Sequence, residues 1–315
     1  MPMKKILFIL LISTLLLCSC AEKRITKQSF SFDTVINITA DKSDEEKISK
    51  ALTKCQKFEK IFSRTNPESK LFKLNSGTAE LKNEHLSRVI NFGLEMSRLT
   101  NGAFDITVAP LSDLWNVKER TAPPEKAEIE NALKSVGYQK IFHSPFNLNN
   151  TEIDLGALAK GYIADKLREE FINSGCENII IDLGGNISLI GEYTVGIRNP
   201  NSPDKIFATI TLKDKSAVTS GSYQRYFEYN GNRYHHIIDP RTGYPTSNSI
   251  ASVTVISPVS MQADALSTAI FVMGKEGFEL LKSFSDTDAL IIFENGDILT
   301  SNGFEEKYNL KLKNN

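Results

Sequence analysis

Tyr226-Phe227-Glu228-Tyr229-Asn230-Gly231-Asn232-Arg233-Tyr234-His235-His236 decides the architecture of this chain. The central Asn-Gly suits the two left-handed positions of a tight hairpin turn, and the flanks are rich in strand-forming aromatics. Such a turn joins antiparallel neighbours, whereas parallel strands need long crossovers. Outward from it, strand-like runs cover residues 193–198, 206–212, 217–220 and 223–229 on one side and 250–256 on the other. A further run at 289–294 is followed by a second Asn-Gly turn at Asn295-Gly296. Hairpins dominate and strand–helix alternation is irregular, so the fold class is α+β, with antiparallel or mixed sheets and packed helices.

Helical periodicity fills the remainder. Ser43-Asp44-Glu45-Glu46 has the form of a capping box, and Ile48, Leu52, Cys55, Phe58 and Phe62 mark one helix face behind it. Leu86, Val89, Ile90, Gly93 and Leu94 mark another, closed by Asn101-Gly102. Pro123-Pro124 opens a third, with Ile129, Leu133 and Val136 inward and Gly137 as its stop. Ala159, Ile163, Leu167 and Phe171 recur every four residues, which predicts a helix over 157–173, and the apolar run 178–183 reads as a buried strand. Residues 31–40 alternate as a single strand, a helix holding Asp264 follows 250–256, and another helix is expected over 275–284. No internal repeat or Ser/Gly linker divides the chain, so residues 30–315 form one catalytic body.

The 315 residues carry a formal charge of −1, which leaves no basic footprint for nucleic acid. Lys4 and Lys5 precede a short apolar run, and Leu17-Cys18-Ser19-Cys20 resembles a bacterial lipoprotein signal. That resemblance makes residues 1–19 a signal peptide, Cys20 the lipidated (palmitate-bearing) first residue, and 20–29 a polar tether. The chain is then exported, facing the periplasm from a membrane anchor. A plain secretory signal cleaved nearby, or an N-terminal anchor, is the alternative. Cys55 and Cys176 read as free thiols, since two distant cysteines make no disulfide framework.

Several segments speak of chemistry. Asp264 and Thr268 stand one helical turn apart on one face, offering two hard oxygen ligands of the kind Mg²⁺ prefers. Asp154-Leu155-Gly156-Ala157-Leu158-Ala159-Lys160-Gly161 reads as a strand end turning into a helix N-terminus, a natural anion site. Lys160 there opposes the helix dipole unless an anion is near, or else it is a solvated surface lysine. Asp182-Leu183-Gly184-Gly185-Asn186 and Thr219-Ser220-Gly221-Ser222-Tyr223 read equally as plain turns or as room and hydroxyls for a phosphate or ribose. His235 and His236 point to opposite faces by strand alternation, so one of them at most faces a site as a general base.

In this order those segments resemble the ApbE family of exported flavin transferases, from about Phe30 to Met273. The likeness includes Phe62-Ser63, Leu74-Asn75, the run Gly102-Ala103-Phe104-Asp105-Ile106-Thr107-Val108-Ala109-Pro110 with Leu114-Trp115, Asp165, and His236-Ile237-Ile238-Asp239-Pro240-Arg241-Thr242-Gly243. The resemblance implies a single body with a T-fold-related architecture. It also implies Mg²⁺-dependent transfer of FMN from FAD to a threonine hydroxyl of a partner protein, with AMP leaving. The acceptor implied is a membrane redox-complex subunit carrying an Asp-x-x-Ser/Thr-Gly/Ala-x-Thr-like segment. Carried over residue by residue, the metal ligands fall on Asp264, Thr268 and the Ala157 carbonyl, and the catalytic histidine on His236. The FAD contacts fall on Thr65, Ala103, Phe104, Asp105, Asp154, Lys160 and Ile237. Two positions depart from the family: its Met-Gly-Thr is Phe32-Asp33-Thr34 here, and its aromatic after Phe-Ser is Thr65. Both touch binding of the flavin ring. The same site would serve for hydrolysis of FAD to FMN and AMP, and a non-enzymatic FAD-binding lipoprotein is a third reading.

Overall fold

The computed structural model describes residues 24–143 and 146–313; Cys20 and the leader lie outside them. A hairpin of β1 (Arg24–Ser31) and β2 (Thr34–Asp41) opens the chain, followed by α1 (Glu45–Phe62), α2 (Lys70–Asn75), α3 (Glu84–Leu99), α4 (Ala109–Trp115) and α5 (Lys126–Leu133). A short ribbon of β3 (Phe142–His143) and β4 (Phe146–Asn147) leads to α6 (Ala159–Asn173). Then come β5 (Ile179–Leu183), β6 (Asn186–Ile190), β7 (Glu192–Asn199), β8 (Ser202–Lys213), β9 (Ser216–Gly221) and the hairpin β10 (Tyr226–Tyr229) with β11 (Asn232–His235). β12 (Ile250–Ser257) runs into α7 (Ser260–Met273), and β13 (Asp288–Phe293), β14 (Ile298–Thr300), α8 (Phe304–Lys307) and β15 (Lys311–Leu312) complete the fold.

Eight strands form one sheet in the order β1-β2-β5-β6-β9-β12-β13-β14, and its neighbours pair antiparallel. Helices cover one face. Ile48, Leu52, Cys55, Phe58 and Phe62 of α1 are buried there with Val253 and Val255 of β12 and most of α7. The other face carries Leu189, Ala217, Ile256 and Leu290 against Ile197, Ala208, Ile210 and Leu212 of a three-stranded sheet ordered β15-β8-β7. β12 is covered on both sides, and all eight of its residues are buried. This is the α+β body expected, with helices and a small sheet sandwiching the large one. Asn230 and Gly231 take φ of 49° and 75°, as the Asn-Gly turn requires.

Four expectations need correction. Residues 24–29, read as tether, are strand β1, and the run 31–40 is split by a turn at Phe32-Asp33, whose φ values are 55° and 58°. Neither turn residue is the glycine or asparagine that normally advertises such a turn. Asp44, not Ser43, stands at the N-cap of α1, without a side-chain capping bond. The segment expected as a helix over 275–284 is a run of 3₁₀ turns, Gly274–Ser283. Cys55 and Cys176 are free and buried, as read.

Candidate active site

The site is set by how α6 meets α7. The first N–H groups of a helix need acceptors from outside it. In α7 these come from α6: Ser260 N–H donates to Asp165 Oδ1 at 2.7 Å and Met261 N–H to Oδ2 at 2.9 Å. Burial pushes Asp165 up to about 6, against the pull of those two bonds. Gly161 lets the two helices touch backbone to backbone. A Cβ there would lie 2.5 Å from Met261 Cα and from Ser260 O. Gly161→Ala is therefore expected to destabilise the fold by about 1–3 kcal/mol through overpacking. A urea midpoint equal to the parent's would show that the helices part freely at this point.

One turn into α7, this approach aims Asp264 at the first turn of α6. The carboxylate is buried, and Oδ2 accepts the Gly161 N–H at 2.9 Å. Lys160 Nζ lies 4.0 Å from Oδ1 and donates to the Gly156 carbonyl at 3.2 Å, so one ammonium spans the loop and the helix. Burial raises the Asp264 pKa, while Lys160, the Gly161 N–H and the nearby Asn186 amide oppose that shift. Asn186 receives the Ser260 hydroxyl at 2.7 Å on Oδ1, but its Nδ2 has no partner in hydrogen-bond geometry. Thr268 is half-buried one turn further on, its hydroxyl 3.2 Å from Ser220 Oγ, which also meets Ser267 Oγ at 2.9 Å. Among the described residues, no three His, Cys, Asp or Glu side chains gather as a metal cage. What gathers is a carboxylate with spare acceptor capacity, a hydroxyl one turn along α7 and, through Lys160, the Gly156 carbonyl. That hard-oxygen set fits a magnesium ion, which keeps water ligands and needs few from protein.

The loop leading into α6 is pinned on both sides. Asp154 N–H donates to Ile106 O at 2.7 Å, which ties it to the segment carrying Ala103, Phe104 and Asp105. Asp154 Oδ1 accepts the Gly156 N–H at 2.7 Å, and Oδ2 faces Arg64 Nε at 3.3 Å. Arg64 also holds both oxygens of Asp113 at 2.7 Å. Arg64, Thr65, Phe72, Asn75 and Asp113 line a cleft of 370 Å³ there. Thr65 is thus at the cleft rim, while Ala103, Phe104 and Ile237 are buried. Asp105 turns its carboxylate into its own loop. Its Oδ1 accepts from Thr107 N–H and Oγ1 at 2.8 and 2.7 Å, and its Oδ2 from Tyr138 N–H at 2.8 Å. Its side chain builds the loop and leaves one acceptor position on Oδ2. A larger hollow of 710 Å³ by Ser249, Lys275 and Asp297 is lined by none of the residues singled out from sequence.

The two histidines part company as strand alternation demands. His235 is buried, with its Nε2 at 3.1 Å from Thr246 O and its Nδ1 accepting the Ile237 N–H at 3.2 Å. Both nitrogens are used, and its role is structural. His236 is half-buried, and its N–H and its Nδ1 both meet the Arg225 carbonyl, at 3.1 and 3.2 Å. A carbonyl only accepts, so Nδ1 carries the proton and Nε2 keeps its lone pair. Burial lowers His236 to about 3, despite its bond to Arg225 O and with help from the charges of Arg225 and Lys160. The ring is therefore neutral at pH 7 and electrostatically coupled to Lys160. Sequence pattern does not single out Arg64, Asn186 or Ser220; Asn186 and Ser220 lie inside segments that read equally as plain turns or as room for a ligand. Nothing local marks Arg64, whose partners stand 49 and 90 residues away in sequence.

Comparison with known proteins covers the segments that build this site. The model of the ApbE family matches residues 32–291. A FAD:protein FMN transferase of Klebsiella pneumoniae is 33% identical over 270 residues, which is 82% of this chain and 85% of the relative. Another from Treponema pallidum is 32% identical over 291 residues, covering 82% of this chain and 80% of the relative. The crystal structure of an ApbE protein from Thermotoga maritima superposes with a TM-score of 0.80 at 31% identity, over 90% of this chain and 98% of that one.

Proposed function

This chain belongs to the ApbE family, and we propose that it transfers FMN from FAD to a threonine hydroxyl of a partner protein and releases AMP. The observation that carries this reading is the junction of α6 and α7, where Asp264, Lys160 and the Gly156 carbonyl converge beside a histidine with one free ring nitrogen. Asp264, the Thr268 hydroxyl and the Ala157 carbonyl hold Mg²⁺ in this reading. The bound ion supplies positive charge against the diphosphate of FAD and the departing AMP.

The chain's own groups do the rest. Lys160 at the start of α6 binds and orients the diphosphate, whose negative charge relieves the unfavourable lysine in that first turn. His236 Nε2 takes the proton from the acceptor hydroxyl as its oxygen bonds to the phosphorus on the riboflavin side. The P–O bond to the AMP phosphate breaks, and its electron pair leaves with AMP. Loss of the family's methionine at Phe32 and aromatic at Thr65 leaves the flavin ring held by other groups, the cleft by Arg64 among them.

In the same reading the chain is exported, anchored through lipidated Cys20, and faces a membrane redox subunit as acceptor; the lipoprotein-like leader supports this. No described helix is long and apolar enough to cross a membrane. Incubation with FAD and MgCl₂, with and without a carrier domain displaying an Asp-x-x-Thr-Gly-x-Thr loop, tests the activity. The expected result is flavin fluorescence on the denatured carrier, with one AMP released per flavin attached. AMP released at the same rate with an unlabelled carrier would identify a hydrolase instead.

A further inference from the structure

We infer that Ser220 and Ser267 are positioning residues: they take up the Thr268 hydroxyl proton and leave the Thr268 oxygen as a bare lone-pair donor to a divalent cation. The inference rests on the reading above, in which Asp264 and Thr268 hold Mg²⁺. A hydroxyl carries one proton and two acceptor positions, so a chain of hydroxyls has a direction only where one end is fixed. Here the far end is fixed. Ser267 is fully buried on α7, and its Oγ donates to the main-chain carbonyl of Asp264 at 2.9 Å, a group that only accepts.

The direction then propagates toward the site. Ser220 Oγ, on β9, lies 2.9 Å from Ser267 Oγ. The Ser267 proton is already committed, so Ser220 donates in this contact. Ser220 is left with no proton for Thr268, whose Oγ1 stands 3.2 Å away, so Thr268 donates to Ser220. The opposite order would satisfy two of the three contacts and take the hydroxyl bond from the Asp264 carbonyl, at the cost of one hydrogen bond. A helical threonine commonly bonds back to a carbonyl of the turn before it. Among the described residues the Thr268 hydroxyl meets Ser220 alone, so its proton has this one outlet.

Both acceptor positions of Thr268 Oγ1 therefore stay free. Hard cations bind oxygen through those lone pairs, and a proton held on the same side would repel them. Bonds in such a chain also polarise one another, so an oxygen that gives its proton becomes the richer ligand. Asp264 is prepared in the same manner. The Gly161 N–H occupies its Oδ2 at 2.9 Å, which leaves Oδ1 turned toward Lys160 at 4.0 Å. Each α7 ligand is thus oriented by one group from outside the helix, Gly161 of α6 for the carboxylate and Ser220 of β9 for the hydroxyl. The relay ends on the main chain of the first ligand, so the two are held as one unit.

The experiment reads Mg²⁺ affinity directly, as the MgCl₂ concentration at half of the maximal rise in Tm of the FAD-free protein. Ser220→Ala removes the acceptor of the Thr268 proton and should raise that concentration about tenfold, as loss of an outer partner of a metal ligand does. Ser267→Ala leaves Ser220 and Thr268 in place but frees the Ser220 proton to turn toward Thr268, so it should weaken Mg²⁺ as well. Both act through one oxygen. The double variant should therefore lie about tenfold from the parent again, where independent effects would multiply to about 100-fold. Ser220→Thr, which keeps the hydroxyl, should return the parent's value. Variants with a lower Tm in EDTA and an unchanged MgCl₂ dependence would make the serines packing residues and overturn the proposal, as would a Ser220→Thr variant no better than Ser220→Ala. A parent whose Tm ignores MgCl₂ sinks the magnesium reading and the relay with it. A parent that responds, beside a Ser220→Ala variant that responds equally, sinks the relay alone.

Discussion

His236→Ala is expected to lower FMN transfer roughly 10²–10⁴-fold, the usual contribution of a positioned general base, while FAD still binds. The ring touches the Arg225 carbonyl through Nδ1, and the backbone N–H of His236 keeps its own bond there, so alanine removes the free Nε2 without orphaning a buried charge. The pH dependence carries more information than the rate. In the free protein burial holds the ring near 3, well below its ordinary 6.5. A bound diphosphate adds negative charge, which favours the protonated ring and raises its pKa. The acid limb of kcat, which reports the FAD complex, should therefore lie at higher pH than that of kcat/KM, which reports the free enzyme. Stability runs in the same direction. With the folded pKa depressed, the unfolded chain takes up the proton first, so stability present above pH 6.5 declines as pH falls toward 3. His236→Ala should flatten that decline in FAD-free protein. Acid limbs that coincide near 6.5, or an unflattened decline, would show that the ring is solvated and the burial argument mistaken.

Much of the site was legible because its signals are local. Asn230-Gly231 specifies its turn by two backbone angles, and the four-residue repeat of α6 fixes which residues face inward, so Lys160 and Gly161 fall at its first turn on pattern alone. The i, i+4 spacing of Asp264 and Thr268 needs only α7 to be a helix. What pattern does not carry is which distant group completes each one. Asp165 looks like any helical carboxylate until its partners prove to be the N–H groups of Ser260 and Met261, 95 and 96 residues away. Asp105 is the converse case. The resemblance marks it as a ligand contact, and local bonds from Thr107 and Tyr138 hold its carboxylate in the loop. The β1–β2 turn was passed over for a different reason. Phe32 is an unfavourable residue for a left-handed angle, Asp33 tolerates one, and tertiary ion pairs hold the turn.

Asp264→Asn is expected to abolish magnesium-dependent transfer, with a loss of about 10³-fold if the ion supplies several kcal/mol to the transition state. Removing the ligand and damaging the fold are separable here. Burial makes the ionised carboxylate unfavourable in the metal-free protein, which is why its pKa is raised; its stabilising contribution is present at acid pH and is lost as pH rises through the folded pKa. At pH 7 the neutral amide therefore relieves a desolvation penalty. Its Oδ1 still accepts the Gly161 N–H, and half-buried Lys160 keeps its bond to the Gly156 carbonyl. Metal-free Asn variant should unfold within about 1 kcal/mol of the parent, the range left when a neutral hydrogen bond replaces a charged one. Addition of MgCl₂ should raise the Tm of the parent, by the linkage of ligand binding to folding, and leave the variant where it was. Affinity of the parent for Mg²⁺ should fall as pH drops through the carboxylate's raised pKa, because proton and ion compete for the same oxygens. A variant that gains as much thermal stability from MgCl₂ as the parent does would place the ion elsewhere and leave the α6–α7 junction as a structural contact only.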